Sequence, residues 1–479
     1  MTSDDLSELT SKLSNNPDKR LATLRRIRDI VLSQQEKEKH ENQQTQNTAQ
    51  WLRFHNFFHR ESELYREKVA SLINTGCSET DDDQAWANFL CLAVAVTSLR
   101  ALYDTNWTRE VIRETDAWLR DNPVMKTHRY ISSRDTLLIL QSATPPSQQE
   151  AIFCSADEAG RLVDSNTILV VKDQQPFPWG GRPIDALFKK HLSKWPEHKK
   201  IHVTILDLPV NGPITRRKTI REVTEKMIHG NPAHQRWNIL DLKSPDNVPH
   251  PEFLNRQQQN CSLLHCFPLH NTNLVTKNTL KFLLMSEGGN HTGMHVDTHG
   301  LATFITVQQG EIGFGWIAHE TPQDRLDIHK DKIPDSLKRK ARFIVLRPGE
   351  TVYMPSGTIH FIFRRQAIPT MATGGHILTW KSIPKWLSIM KMQELSQEPV
   401  EADVTKESTR AYLNCLKQIL KEDKAAQSSN IPRPEQLQEN SAEEKDAAKR
   451  DMGVAWSIIK NWDNITKEDL LDKEKNFGV

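Results

Sequence analysis

The chain has 479 residues, with 63 lysines and arginines against 61 aspartates and glutamates, and its formal net charge is +2. This balance argues against a strongly basic nucleic-acid binder, and no run approaches the ~18 apolar residues that a membrane span needs. We therefore expect no direct nucleic-acid interface and no membrane segment. At one domain per ~150 residues, the length predicts about three domains.

Cysteine usage and the first residues indicate the compartment. Six cysteines are scattered along the chain, and none forms a Cys-x-x-Cys pair. The first residues show no basic segment followed by an apolar one, so no secretory signal is expected. A disulfide framework is not expected in such a chain. These observations favour a reducing compartment, either the cytoplasm or the nucleus.

The predicted elements divide the chain into three regions. Residues 1–130 form a predicted helical N-terminal region with a polar leader, and apolar residues at helical spacing indicate helices over 86–102 and 107–119. In the second region, 131–390, short β-branched or apolar runs predict strands, and amphipathic stretches predict helices. The strands are predicted at 136–140, 167–171 and 201–206, and the helices at 184–195 and 214–228.

The strand signal is strongest within 280–385, the predicted core of the second region. Short apolar runs are separated there by glycine, proline, asparagine or polar turns, which favours a β-sandwich or a barrel. A charged insertion at 323–340 interrupts these runs. The third region, 391–479, is predicted to be helical, with helices over 404–420 and 448–471.

Two histidines and one aspartate carry the strongest chemical signal. Residues two apart in a strand project to the same face, so His295 and Asp297 can offer an imidazole and a carboxylate to one ion. His360 follows the turn at Pro348-Gly349, a short strand and a second turn, and we expect it near the start of the next strand. Two histidines and one carboxylate on a β-scaffold form the facial triad of non-haem Fe(II) sites. The alternative, ordinary hydrogen bonding of these three side chains, stays open.

These residues belong to a longer pattern that resembles a Jumonji-C (JmjC) domain, closest to the branch that includes histone lysine demethylases. The resemblance extends across 280–385 and is weaker across 165–280. The pattern consists of six segments in order: FLLMS at 282–286, TGMHVD at 292–297, QG at 309–310, LRPG at 346–349, PSGTIH at 355–360 and GGHIL at 374–378.

The resemblance implies an α+β fold: a double-stranded β-helix, which is a jelly-roll, cupin-like barrel, flanked by helical N- and C-terminal regions. It implies His295, Asp297 and His360 as Fe(II) ligands and 2-oxoglutarate as co-substrate. It also implies that Thr292, three residues before the first histidine, contacts the co-substrate, and a threonine hydroxyl can donate a hydrogen bond to a carboxylate.

The chain departs from the family pattern at one position. The family has a lysine for 2-oxoglutarate about 17 residues past the first histidine, and Ile312 stands there. A dicarboxylate inside a barrel needs a cation, because an unpaired buried charge is costly. Four nearby bases are candidate substitutes: Lys281, Arg364, Arg365 and Lys381.

Three functions are therefore open. The first is an Fe(II)- and 2-oxoglutarate-dependent oxygenase that hydroxylates a protein side chain or demethylates an N-methyl group. The second is a metal-binding JmjC pseudoenzyme that serves as a chromatin or protein-interaction scaffold. The third is a cupin-type metalloenzyme that acts on a small molecule without 2-oxoglutarate. The resemblance favours a protein substrate or chromatin protein as partner, and the nucleus over the cytoplasm.

Overall fold

In the computed structural model, the described residues are 82–127, 132–147, 149–171, 183–190, 192–205, 207, 214–229, 236–243, 251–254, 262–267, 280–328, 333–396, 404–421 and 442–472. The predicted polar leader lies outside these ranges. The chain divides into two compact units between Asn106 and Trp107. The described residues of the first unit belong to one helix, in which Arg100 Nε donates to Asp104 Oδ2 over 3.2 Å.

Helices precede, interrupt and follow the strand-rich part of the chain. The α-helices are α1 Asp82–Asp121, α2 Pro123–Thr127, α3 Ser132–Leu140, α4 Ala156–Leu162, α5 Pro183–Lys190, α6 Ile220–His229, α7 Pro322–Asp327, α8 Asp335–Lys340, α9 Ile383–Ser396, α10 Lys406–Lys421, α11 Ala442–Lys460 and α12 Lys467–Leu471. Short 3₁₀ helices lie at Leu192–Lys194, Glu252–Leu254, Leu263–Cys266, Thr298–Gly300 and Trp462–Asn464.

The strands are short, and most of them follow residue 280. They are β1 Ala151–Cys154, β2 Ile168–Val171, β3 Lys200–Ile205, β4 Ile214–Thr219, β5 Trp237–Lys243, β6 Phe282–Ser286, β7 Thr292–His295, β8 Ala302–Gln309, β9 Ile312–Ile317, β10 Ala341–Leu346, β11 Thr351–Met354, β12 His360–Phe363 and β13 Thr370–Ile377. Strands and helices together make the described chain α+β.

The strands form two sheets. The larger sheet is mixed and has the order β1-β2-β11-β8-β13-β6-β5-β3-β4, and the smaller has the order β10-β9-β12-β7. From β6 to β9 consecutive strands alternate between the two sheets, and β11, β12 and β13 alternate again. Such repeated crossing between two sheets is compatible with the expected jelly roll.

An apolar cluster joins the two sheets and is called here the inter-sheet cluster. It draws buried side chains from β1, β2, β8, β11 and β13 of the larger sheet and from β9, β10 and β12 of the smaller one. Its members are Ala151, Ile168, Val170, Ile305, Val307, Ile312, Phe314, Trp316, Ile344, Leu346, Val352, Met354, Ile362 and Ala372. Side chains that alternate with these along each strand therefore face away from the space between the sheets.

Two further clusters cover the outside of this core. The helix-side cluster packs α5 and α6 onto the larger sheet, and it includes Trp237, Ile239, Met285 and Met371. The C-terminal cluster joins α9, α10 and α11, and it also contains Leu301, which directly precedes β8. Among the described residues, no helix combines the length and the apolar character that a membrane span requires.

Several predictions of local structure are wrong. The apolar run at 136–140 belongs to helix α3, Ser132–Leu140, and not to a strand. A short apolar run does not distinguish a strand from one buried side of a helix, and Thr136, Leu137 and Leu140 are all buried. The two helices predicted before residue 120 are one continuous helix, α1, and β1 was not predicted.

The predicted helix at 214–228 is wrong in its first half. Residues Ile214–Thr219 form β4, and helix α6 begins only at Ile220. Thr219 and Glu222 define this start, because the Glu222 carboxylate accepts from the Thr219 backbone N–H over 2.8 Å and the Glu222 N–H donates back to the Thr219 hydroxyl over 3.2 Å. This reciprocal pair is a capping box. Likewise, the helix predicted at 448–471 is divided, with α11 ending at Lys460.

Candidate metal centre

The two histidines of the predicted triad meet across a strand pair. His295 is the last residue of β7, His360 is the first residue of β12, and the two strands are antiparallel with these residues directly opposite each other. The two imidazole centroids lie 4.2 Å apart at an interplanar angle of 50°. Strand pairing therefore fixes both imidazoles on one side of the smaller sheet.

Asp297 reaches this pair from a turn and not from the strand. The predicted alternation along one strand is wrong here, because β7 ends at His295 and Asp297 precedes the 3₁₀ turn Thr298–Gly300. The Asp297 Oδ1 atom nevertheless lies 3.7 Å from Nε2 of His295 and 3.7 Å from Nε2 of His360. The three ligand atoms all lie within 4.8 Å of one another.

The hydrogen bonds of both rings direct their Nε2 atoms towards the same carboxylate oxygen. His295 Nδ1 donates to the Gly293 carbonyl over 2.9 Å, and His360 Nδ1 donates to the Thr358 carbonyl over 3.1 Å. A neutral imidazole that donates through Nδ1 presents a lone pair at Nε2. Two lone pairs and a carboxylate oxygen thus converge on one point, and this donor set fits a divalent cation such as Fe(II).

The site is buried on one side and accessible on the other. The His360 side chain is only 3% exposed, whereas His295 and Asp297 retain 26% and 19% of their side-chain exposure. Phe314 of the inter-sheet cluster stacks on the His360 ring with a centroid distance of 5.9 Å. An ion held here would therefore rest on an apolar floor and keep an open side.

A chain of hydrogen bonds orients the Asp297 carboxylate. The Thr303 hydroxyl donates to Asp297 Oδ2 over 2.5 Å and lies 2.8 Å from Nδ1 of His376. Because the hydroxyl has a single hydrogen, which Asp297 receives, His376 Nδ1 must be the donor in the second bond. His376 therefore donates a hydrogen bond to Thr303, and Thr303 donates one to Asp297 Oδ2. The other carboxylate oxygen, Oδ1, faces the two ligand histidines.

Electrostatics keep Asp297 ionised. Burial raises the pKa of the Asp297 carboxyl, whereas positive charge on the imidazoles of His360, His376 and His295 lowers it, as does the hydrogen bond from Thr303. The net result is a pKa below the ordinary value for aspartate. Burial lowers the pKa of His376, and the nearby Asp297 charge opposes that shift only in part. His376 can donate through Nδ1 to Thr303 in either protonation state.

An ion pair holds the loop that leads to His360. Glu320 accepts from the backbone N–H of Ile359 over 2.9 Å and from Arg325 over 2.6 Å. The same arginine donates through Nε to the Gly357 carbonyl over 3.3 Å. Because Ile359 immediately precedes His360, this network fixes the first residue of β12.

Helix α9 contacts both loops that carry the ligands. Gly300 and Gly357 adopt positive φ angles of 62° and 76°. A Cβ atom at Gly300 would lie 2.4 Å from the Ile389 side chain, and one at Gly357 would lie 2.1 Å from it. Only glycine fits both positions, since a larger residue would meet Ile389 and also strain the backbone. The Gln393 amide adds a bond of 3.0 Å to the Asp297 carbonyl.

Thr292, predicted to contact the co-substrate, and Ile312, at the lysine position, lie on two strands of the smaller sheet. Thr292 is the first residue of β7 and pairs with Ile362 of β12. Ile312 begins β9, is 2% exposed and belongs to the inter-sheet cluster. The position at which the family has a lysine is therefore apolar and fully packed in this chain.

The four candidate bases differ sharply in environment. Arg364 is 3% exposed. Arg365 pairs with Glu114 over 2.8 Å and is partly exposed. Lys381 is exposed and Lys281 is partly buried. Burial alone singles out Arg364.

Sequence reasoning missed the groups that orient the ligands. Thr303 and Glu320 were not predicted, because their partners lie on other elements and no local motif marks them. His376 lies in the GGHIL segment at 374–378, and its contact with Thr303 joins residues 73 positions apart. The available signal was strand alternation, which puts Thr303 on the same face of β8 as Ile305 and Val307 of the inter-sheet cluster.

Comparison with known proteins gives a weak relationship. No family model matches the chain. Over 140 residues, the chain is 26% identical to the "JmjC domain-containing histone demethylation protein 1" of Debaryomyces hansenii, a match that covers 25% of this chain and 26% of the relative. The chain thus spans about a quarter of the relative's length. This similarity supports a JmjC-like relationship at most.

Proposed function

We propose that the chain is a JmjC-type non-haem Fe(II)- and 2-oxoglutarate-dependent oxygenase that acts on a protein side chain, by hydroxylation or by N-demethylation. The observation that carries this proposal is the convergence of His295 Nε2, Asp297 Oδ1 and His360 Nε2 within 4.8 Å. The strand alternation between two sheets supports it, because a jelly-roll barrel that closes around the inter-sheet cluster would surround such a site.

In this function each residue of the site has a defined task. His295, Asp297 and His360 would hold Fe(II), and the ion when bound supplies the activation of oxygen. The carbonyls of Gly293 and Thr358 fix the two rings with Nε2 towards the ion. The partly buried Thr292 would donate its hydroxyl to a carboxylate of 2-oxoglutarate.

The substrate class and the compartment follow from the weak relative. That protein is named for histone demethylation, so we propose a chromatin protein as the substrate and the nucleus as the site of action. The open side of the centre, where His295 and Asp297 are partly exposed, would admit a side chain of the substrate.

The test is the release of succinate from 2-oxoglutarate by the iron-loaded protein. We expect release that His295→Ala abolishes. The matched control is His319→Ala, because the His319 side chain is 73% exposed and its Nε2 atom lies 3.7 Å from the Glu150 carboxylate. Absence of both succinate release and 2-oxoglutarate binding in the iron-loaded wild-type protein would contradict the proposal.

One observation favours a second function, a JmjC pseudoenzyme that keeps a metal and serves as a chromatin or protein-interaction scaffold. Ile312 stands at the family's lysine position and is buried in the inter-sheet cluster. This function predicts that the protein binds a divalent metal and has no measurable affinity for 2-oxoglutarate in calorimetry. Tight 2-oxoglutarate binding would exclude it.

A further inference from the structure

Arg364 is a buried cation, and in the described part of the chain it forms no ion pair with a carboxylate. Its Nε donates to the Thr370 hydroxyl over 2.8 Å and its Nη1 donates to the Asn290 carbonyl over 3.0 Å. Among the residues that the structure describes, no carboxylate forms an ion pair with it, and burial alone lowers its pKa to about 9. Buried charges in proteins are normally paired, because an isolated one is costly. The uncompensated charge of Arg364 would therefore favour an anion beside it.

The strand register brings Arg364 beside the missing lysine. Strands β12 and β9 pair His360 with Trp316 and Phe363 with Gly313. One further step in this register brings Arg364 opposite Ile312. Since side chains alternate along a strand, Arg364 leaves β12 on the same side as His360. The family has a lysine at the position of Ile312 on β9. In this chain, Arg364 carries a positive charge directly opposite that position, just past the end of the neighbouring strand β12.

A row of polar side chains crosses the larger sheet next to Arg364. Thr370 pairs with Ser286, and Ser286 pairs with Asn238, on three adjacent strands. Their chain neighbours Met371, Met285, Trp237 and Ile239 belong to the helix-side cluster. The row therefore faces the opposite side, towards the space between the sheets.

Two asparagines of this region carry side-chain atoms that find no hydrogen-bond partner among the residues that the structure describes. Asn238 is 0% exposed, and neither its Nδ2 nor its Oδ1 atom has a partner. Asn290 is also 0% exposed, and its Oδ1 atom has none. Buried polar groups are almost always satisfied in native proteins, so each exception needs an explanation, and a bound water, ion or ligand is one of them. An amide N–H and a guanidinium are both donors suited to a carboxylate.

We propose that Arg364, assisted by the Asn238 amide, binds the distal carboxylate of 2-oxoglutarate in place of the absent lysine. This inference rests on the proposed oxygenase function and identifies the residues that bind its co-substrate. About 13 Å of extended strand separates the α-carbons of His360 and Arg364. The long arginine side chain and an extended dicarboxylate would together cover that distance. The 2-oxo acid end would face the metal ligands, and Thr292 would lie between the two ends.

The experiment measures direct binding and needs no turnover. The full chain is loaded with Mn(II), and the affinities for 2-oxoglutarate and for oxalate are measured by calorimetry. Oxalate chelates the metal but has no distal carboxylate. We expect Arg364→Leu to weaken 2-oxoglutarate binding about 100-fold, the effect of losing charge-assisted hydrogen bonds, and to leave oxalate binding unchanged. The matched control is Arg365→Leu, because the adjacent arginine pairs with Glu114; it should change neither affinity.

A transposed charge separates a binding role from a structural one. In the double variant Ile312→Lys, Arg364→Leu, the cation returns to the family position, and we expect 2-oxoglutarate binding to recover. Wild-type affinity for 2-oxoglutarate in Arg364→Leu would overturn the inference and leave the proposed function intact. Oxalate binding without 2-oxoglutarate binding in the wild-type protein would overturn both. If Arg364→Leu loses both ligands, the double variant decides, and failure to recover 2-oxoglutarate binding overturns the inference.

Discussion

Replacing Thr303 by valine isolates the hydroxyl that orients the metal-facing carboxylate. Valine preserves the shape of the side chain and removes the bond of 2.5 Å to Asp297 Oδ2 together with the contact of 2.8 Å to His376. A hydrogen bond to a charged group contributes about 1.5–3 kcal/mol. Groups that orient metal ligands typically change metal affinity by about 10–100-fold. We therefore expect Thr303→Val to weaken divalent-metal binding by about that factor.

The assay is competition between the protein and a chelating dye for Mn(II) or Co(II). Thr306→Val is the matched control, because Thr306 is also a buried threonine of β8 and its hydroxyl bonds to Thr351 over 2.7 Å on the opposite face of the strand. Thr306→Val should cost stability without changing metal affinity. Equal metal affinities in Thr303→Val and the wild type would refute the reasoning that Thr303 orients Asp297.

Two more predictions concern stability. Gly357→Ala should lower the unfolding free energy by about 2–4 kcal/mol, because the backbone φ is positive and the added Cβ would overlap Ile389. The control Gly453→Ala lies in an open part of α11 and should raise the unfolding free energy by up to about 1 kcal/mol. Equal effects of the two variants in denaturant titrations would contradict this prediction. The bond from the Thr219 backbone and the Lys218 ion pair lower the pKa of Glu222 from 4.5 to about 2, so its stabilising contribution is complete above pH 4.5 and is lost as the pH falls towards 2. Glu222→Gln should therefore cost about 0.5–1 kcal/mol at pH 7, and a difference that stays constant down to pH 3 in urea titrations would argue against this origin.

The metal triad could be predicted because its signal is local. A histidine two residues before an aspartate, and a second histidine after a Pro-Ser-Gly turn, are legible in the sequence without knowledge of the fold. The geometry was predicted less well, since Asp297 reaches the site from a 3₁₀ turn beyond the end of β7. Alternation along one strand selected residues that the fold does bring together, although the argument applies only as far as His295.

The supporting residues could not be predicted because they act across long sequence distances. Glu320 bonds a backbone group 39 positions away, and Thr303 meets His376 across 73 positions. Nothing near these residues in the chain marks such pairs, which arise only when the strands assemble. The strand wrongly predicted at 136–140 has a related cause, because a short apolar run gains its secondary structure from what it packs against.

The contact of Ile389 with both ligand loops has a consequence for how the protein unfolds. Helix α9, Ile383–Ser396, crosses the predicted domain boundary at 390, and it packs with α10 and α11 in the C-terminal cluster. An ion that binds only the folded site adds its binding free energy to every element that must be ordered for the site to exist. The C-terminal helices, which supply no ligand, would therefore melt at a higher temperature when metal is present.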